Sequence, residues 1–196
     1  MKKVSTVFIL MICGFLICLQ FANLSYASIK DTEFLELCRT GSLEQVNDAI
    51  MSGANVNLRT GIKENTLLME TASSNPDPKV ITALIDVGAV VSRKNNFNET
   101  PLMYAAGNNK NQTSIKAVIQ ALVDAGDEID ARDNGGRTPL MWAVNSANLE
   151  AVVALLSLGA DAKQRDRHGT LPLDAAEAKK EFKNTDAVKK LREASK

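Results

Sequence analysis

The sequence predicts an all-α solenoid, built from about five stacked helical units including the two caps. Two series of markers predict it. Four apolar segments end in glycine, and Gly53, Gly88, Gly126 and Gly159 stand 35, 38 and 33 residues apart. A second series, Thr66-Leu67-Leu68-Met69, Thr100-Pro101-Leu102-Met103, Thr138-Pro139-Leu140-Met141 and Leu171-Pro172-Leu173-Asp174, advances by 34, 38 and 33. Two independent markers keeping one period indicate a repeat array, in which no unit buries its apolar face alone and stability resides in contacts between neighbours.

The chain starts with a different kind of segment. Lys2 and Lys3 precede an apolar run from Val7 to Leu19, followed by Ser25-Tyr26-Ala27. A basic start, an apolar centre and a small-x-small exit make residues 1–27 a secretory signal peptide, with the cut expected after Ala27. An uncleaved anchor is the alternative, but the run is short for a span of about 20 residues, and Gln20, Asn23 and Ser25 polarise its end. Cys13 and Cys18 each follow isoleucine, not the small residue that lipoprotein processing favours. Removal would leave residues 28–196, with 21 basic and 23 acidic side chains and Cys38 as the one cysteine. A lone cysteine forms no internal disulfide, so packing has to hold the exported domain together.

At the repeated residues the chain resembles the ankyrin-repeat family. That pattern is a loop with Asp and Gly, then Thr-Pro-Leu-His opening one helix, then a second helix ending in Leu-Leu-x-x-Gly-Ala. The best match runs from Asp133 to Ala160 and includes Gly136, Thr138, Pro139, Leu140, Ala143, Leu155, Leu156 and Gly159. The resemblance implies helix-turn-helix units joined by β-turn or hairpin loops, near 32–65, 66–99, 100–137, 138–170 and 171–196. Residues 32–65 lack the Thr-Pro opening and residues 171–196 end lysine-rich, as polar-faced caps would.

Each unit can be justified residue by residue. Thr66, Thr100 and Thr138 stand where helices begin, with hydroxyls able to satisfy orphan amides, and Pro101 and Pro139 suit the first turn. Gly53, Gly88, Gly126 and Gly159 fall just past second helices, where a left-handed residue is favoured. Ala105, Ala106 and Ala143 let paired helices approach, while Leu122, Val123, Leu155 and Leu156 fill interfaces between units. Asn75-Pro76-Asp77-Pro78 reads as a stiff turn between helices. The third unit is longer than the fourth around 107–113, either a tolerated polar loop or part of a binding face.

Met69, Met103 and Met141 replace the family histidine, so thioether packing is expected in place of polar ties. Soft thioethers also raise a copper(I) reading. Equivalent atoms of stacked helices lie about 10 Å apart, too far to share one ion, so core packing is favoured and no metal or cofactor is expected. Cys38 reads as a buried inert thiol, with redox pairing to a partner as the alternative.

Zero formal net charge and 5% aromatic content exclude a typical nucleic-acid binder. His168 is the one histidine and stands in a loop with no ligating companion. No nucleophile motif or phosphate loop is present, so the chain is read as not an enzyme. What remains is recognition. Alignment places Glu70, Tyr104 and Trp142 at one inner-helix position, Asn145 a turn later, and Phe97, Arg132 and Arg137 among the loop tips. Aromatic and arginine side chains are favoured anchors, so Trp142, Tyr104, Phe97, Arg137, Arg132, Asn145 and Glu70 form the expected partner-binding set. The alternative is that Trp142 and Tyr104 merely cover the stack. The function expected is that of a monomeric periplasmic or secreted adaptor binding a protein partner through a concave helix face, touching membrane only through its leader. Two variants are a secreted effector on a host protein and an inhibitor-type protector of an envelope enzyme.

Overall fold

The computed structural model describes residues 30–109 and 114–196; the expected signal peptide and part of the 107–113 insertion lie outside them. Among the described residues the chain forms five helix pairs: α1 (Asp31–Thr40) with α2 (Leu43–Met51), α3 (Leu67–Ser74) with α4 (Pro78–Asp86), α5 (Pro101–Asn108) with α6 (Ile115–Asp124), α7 (Pro139–Asn145) with α8 (Leu149–Ser157), and α9 (Pro172–Glu177) with α10 (Asp186–Ala194). A 3-10 turn, Lys180–Phe182, separates the last two. First helices pack on first helices along the series α1, α3, α5, α7, α9, and second helices on second helices along α2, α4, α6, α8, α10. Partners within each pair also pack together, which gives the two-layer stack that the repeat period predicts.

The helix starts follow from the markers. Thr66, Thr100 and Thr138 accept hydrogen bonds from the amides of Met69, Met103 and Met141, and Pro101 and Pro139 occupy first-turn positions. At the N-cap of α9 leucine stands in place of threonine, and the Asp174 carboxylate accepts the Leu171 amide at 3.1 Å. Second helices close alike. Gly88 adopts φ of +99°, its amide bonds the Ile85 carbonyl and the Ala89 amide reaches back to Leu84. The same double closure recurs at Gly53, Gly126 and Gly159.

The core runs continuously through the stack, with Phe34, Leu68, Ile81, Leu102, Ile119, Leu140, Leu155 and Phe182 buried. Ala105, Ala106 and Ala143 are buried where first helices meet. Met69, Met103 and Met141 are buried too. Met69 departs from the expectation of packing alone: its Sδ accepts the Thr66 amide at 3.3 Å, so the thioether keeps a weak polar tie at the helix start. Cys38 is fully buried, and that burial pushes its thiol up to about 12. Among the described residues no helix is long and apolar enough to cross a membrane.

Polar ladders join the units as well. Asn75, Asn109 and Asn148 are buried, and each sends its side-chain amide to a carbonyl of the preceding unit. Asn75 reaches Cys38, Asn109 reaches Ala72 and Asn148 reaches Asn109, at 2.9, 2.9 and 3.1 Å. Buried carbonyls at helix ends need such donors.

Candidate functional site

The loops that enter α5, α7 and α9 are built on one side-chain turn. Asn95, Asp133 and Asp166 each accept two backbone amides through Oδ1: those of Phe97 and Glu99, of Gly135 and Arg137, and of His168 and Thr170. Into α3 the chain instead forms a short antiparallel pair, β1 (Arg59–Thr60) with β2 (Asn65–Thr66). Successive loops are stitched by backbone bonds from Asn96 to Lys63, Asn134 to Phe97 and Arg167 to Gly135. The loops therefore form a continuous, mutually bonded edge.

This edge employs Arg132, which the sequence assigns to the binding surface, and Arg59 as fasteners between loops. Arg132 donates to the Gln164 side chain at 2.9 Å and to the Arg165 carbonyl at 2.6 Å. Arg59 similarly bonds the Glu64 and Lys94 carbonyls. Both arginines fasten one loop to the next, although each side chain remains on the surface.

The inner-helix position holds Glu70, Tyr104 and Trp142, and all three turn their polar ends toward the loops. Glu70 accepts the Asn65 amide at 2.8 Å. Tyr104 is 6% exposed, with its hydroxyl 2.9 Å from Asn65 Oδ1 and 3.0 Å from Glu99 Oε2. Glu99 is itself buried, bonded by Asn95 and paired with Lys63 at 3.2 Å. Burial foremost, and then the adjacent Glu99 carboxylate, push the Tyr104 phenol well above its usual range, so it remains protonated. Tyr104 accordingly sits below the surface as a support.

Trp142 is half-buried and lies on that support. Its ring stacks on Tyr104 with centroids 5.9 Å apart, and its Nε1 donates to Asp133 Oδ2 at 3.0 Å. Gly107 makes room: a Cβ there would stand 2.7 Å from Trp142 Cε3. Arg137 pairs with Asp133 at 2.8 Å and places its guanidinium 5.2 Å from the Trp142 ring centroid. Burial would raise the Asp133 carboxyl, but bonds from the Arg137 amide and guanidinium and from Trp142 outweigh it and hold the group below its usual value. The indole is thus fixed from four directions.

Beside it is a cavity of about 210 Å³ lined by Gly107, Asn108, Arg137, Trp142, Asn145 and Ser146. Three expected residues, Trp142, Arg137 and Asn145, meet there, with Tyr104 under the indole. Phe97, Arg132 and Glu70 do not line it. Phe97 is 45% exposed on the preceding loop with Lys63 Nζ 5.1 Å from its ring. Sequence reasoning missed Ile62, 98% exposed in the β1–β2 turn, where an isoleucine among Gly61, Lys63 and Glu64 is the available signal. Gly107 and Asn108 bring to the cavity the start of the 107–113 insertion, which the sequence reads as either a polar loop or part of a binding face. A larger cavity of about 500 Å³ lies between α9 and α10 and is lined by cap lysines including Lys179, Lys183 and Lys189. It is remote from the expected set and belongs to the polar outer face of the cap. Among the described residues, no group of three or more His, Cys, Asp or Glu side chains could hold a metal ion.

The family description "Ankyrin repeats (3 copies)" matches residues 34–118, 72–166 and 110–196. No curated protein matches the chain. Ankyrin repeats generally serve as protein–protein interaction modules and are typically non-enzymatic. The match from residue 34 to the last residue, joined with five stacked helix pairs and their turn-built loops, shows that this chain belongs to the ankyrin-repeat family.

Proposed function

We propose that this protein is an exported adaptor of the cell envelope that binds a partner protein through the first-helix face and loop edge, centred on Trp142. One observation carries the reading: a half-exposed indole, immobilised by Tyr104, Asp133, Arg137 and Gly107, borders an open cavity with Asn145 and Asn108. A large side chain ordered before binding loses little entropy on contact, which is what an interface anchor requires. Arg137 and Asn145 supply the polar rim. Phe97, Ile62 and Arg132 extend the surface along the loop edge, and Glu70 marks its acidic end on α3.

The signal-peptide-like residues 1–27 support export, and the absence of a recognisable catalytic motif supports binding as the whole activity. The adaptor acts as a monomer in the periplasm or outside the cell. Affinity capture from periplasmic and culture-supernatant fractions tests this, using the mature chain and its Trp142→Ala variant side by side. A partner retained by the parent and lost by the folded variant supports the proposal. Equal retention removes Trp142 from the interface, and the fraction that yields the partner fixes the compartment.

A further inference from the structure

The residue after the closing glycine is alanine in three units, Ala54, Ala89 and Ala160, but Asp127 in the third. The backbone is unchanged: the Asp127 amide bonds the Leu122 carbonyl as Ala89 bonds Leu84 and Ala160 bonds Leu155. An alanine slot therefore holds a carboxylate, and it is only 4% exposed. Its Oδ2 accepts the Leu102 amide at 2.8 Å, one of the open donors at the start of α5. Among the described residues its Oδ1 has no hydrogen-bond partner of good geometry, and the Thr100 hydroxyl and Glu128 amide act on the carboxyl only as weak, poorly placed donors.

Among the described residues, few charges are near enough to compensate. Helix α5 contains no charged residue, and the two of α6, Lys116 and Asp124, are exposed. Lys94, on the loop before α5, is the cation that acts on Asp127, and it is already 3.7 Å from the Glu128 carboxylate. Burial raises the Asp127 carboxyl, and the Leu102 amide, the Thr100 hydroxyl, the Glu128 amide and Lys94 oppose that only in part, leaving it at about 7.

We propose that Asp127 is a pH-sensitive joint in the third unit, at which ionisation buries a bare carboxylate oxygen against the start of α5 and protonation relieves it. The unfolded carboxyl titrates near 3.9, so as pH falls the folded chain takes the proton first. Stability therefore rises as pH drops through neutrality, and the gain is complete once pH is below the unfolded value. Helix α5 carries Tyr104 and Gly107, the bed on which Trp142 lies, so the joint sits at the start of the helix that supports the candidate site.

The test follows the carboxyl carbon of Asp127 by NMR in the full chain, assigned by its loss in Asp127→Asn. A midpoint near neutrality supports the joint, and a midpoint near the ordinary value of about 4 overturns it. Denaturant titrations give a second readout. From about pH 8.5 to about pH 6, the unfolding constant of the parent should fall about tenfold more than that of Asp127→Asn; parallel curves overturn the proposal. If Asp127→Asn does not fold, Asp127→Ala, carrying the residue of the other three units, takes its place in both measurements.

Discussion

Replacing Trp142 separates anchoring from covering, because its contacts divide into parts that two substitutions remove differently. Trp142→Phe keeps a ring over Tyr104 and Gly107 and loses the indole N–H bond to Asp133. Asp133 still receives Gly135, the Arg137 amide and the Arg137 guanidinium, so no buried acceptor is left bare. The expected loss is about 1 kcal/mol. Trp142→Ala also forfeits the stack on Tyr104, about 1 kcal/mol, the cation over the ring, about 0.5 kcal/mol, and the burial of half an indole, about 1.5 kcal/mol. With the hydrogen bond included, Trp142→Ala should cost about 4 kcal/mol, which a domain of about 5–15 kcal/mol can survive. Urea titrations followed by far-UV circular dichroism measure both. Partner binding should follow the same order: Trp142→Phe should weaken affinity a few-fold, whereas Trp142→Ala, tested where it is fully folded, should lose at least 30-fold, as an interface anchor does. Equal stability loss in both variants would refute the division of contacts. Unchanged affinity in folded Trp142→Ala would show that the indole only covers the stack.

The remaining predictions concern what holds the site in place. Asn148→Ala removes the cap of α8 and the donor to the Asn109 carbonyl and should cost about 2 kcal/mol in denaturant titrations; a loss within about 0.5 kcal/mol would make the asparagine ladder ornamental. Asp133, held below its usual value in the folded state, contributes stability that is present above about pH 4 and fades as pH falls through its folded value. The stability difference between parent and Asp133→Asn, measured from neutral to acid pH, should therefore shrink only below about pH 4. Cys38, raised to about 12 by burial, should resist thiol reagents at mildly alkaline pH until denaturant is added; rapid native labelling would contradict the packing of α1 on α3.

The parts of the fold that the sequence discloses are those tied to backbone necessity. Thr100 and Thr138 cap helices because orphan amides require an acceptor at a fixed offset, and Gly88 or Gly159 ends a helix because a left-handed residue is needed there. These demands recur every unit, so period alone exposes them. The asparagine ladder also recurs, at Asn75, Asn109 and Asn148, but asparagine is common in turns and its buried partner lies one unit away along the chain. The same physics explains Arg132: exposure and loop position suggest a free anchor, whereas the carbonyl that binds it belongs to Arg165 in the next loop. Tyr104 and Trp142 occupy equivalent positions yet differ in exposure, because Trp142 lies over Tyr104 while Gly107 admits its larger ring. One-dimensional pattern finds the position; only the neighbouring unit decides whether it is surface or support.

The division of labour along the stack accounts for where specificity can reside. Backbone bonds between loops, arginines on carbonyls and buried asparagines fix each unit against the next without using the inner-helix position. That position is therefore free to vary: it is an acid at Glu70, a buried phenol at Tyr104 and a half-buried indole at Trp142. The loop acceptors vary with it. Asn95 and Glu99 serve Tyr104, whereas Asp133 and Arg137 serve Trp142, so the acidic group moves from one end of the turn to the other as the aromatic partner changes. A leucine or phenylalanine would close this helix interface without an acceptor or a cation. The indole instead receives a carboxylate, a cation and a glycine cut to its shape, and it keeps one edge open to a cavity. On the proposed reading, this pairing of tight support with an edge left open to a cavity makes the junction of α5 and α7 the centre of the interface, with the loop edge extending it.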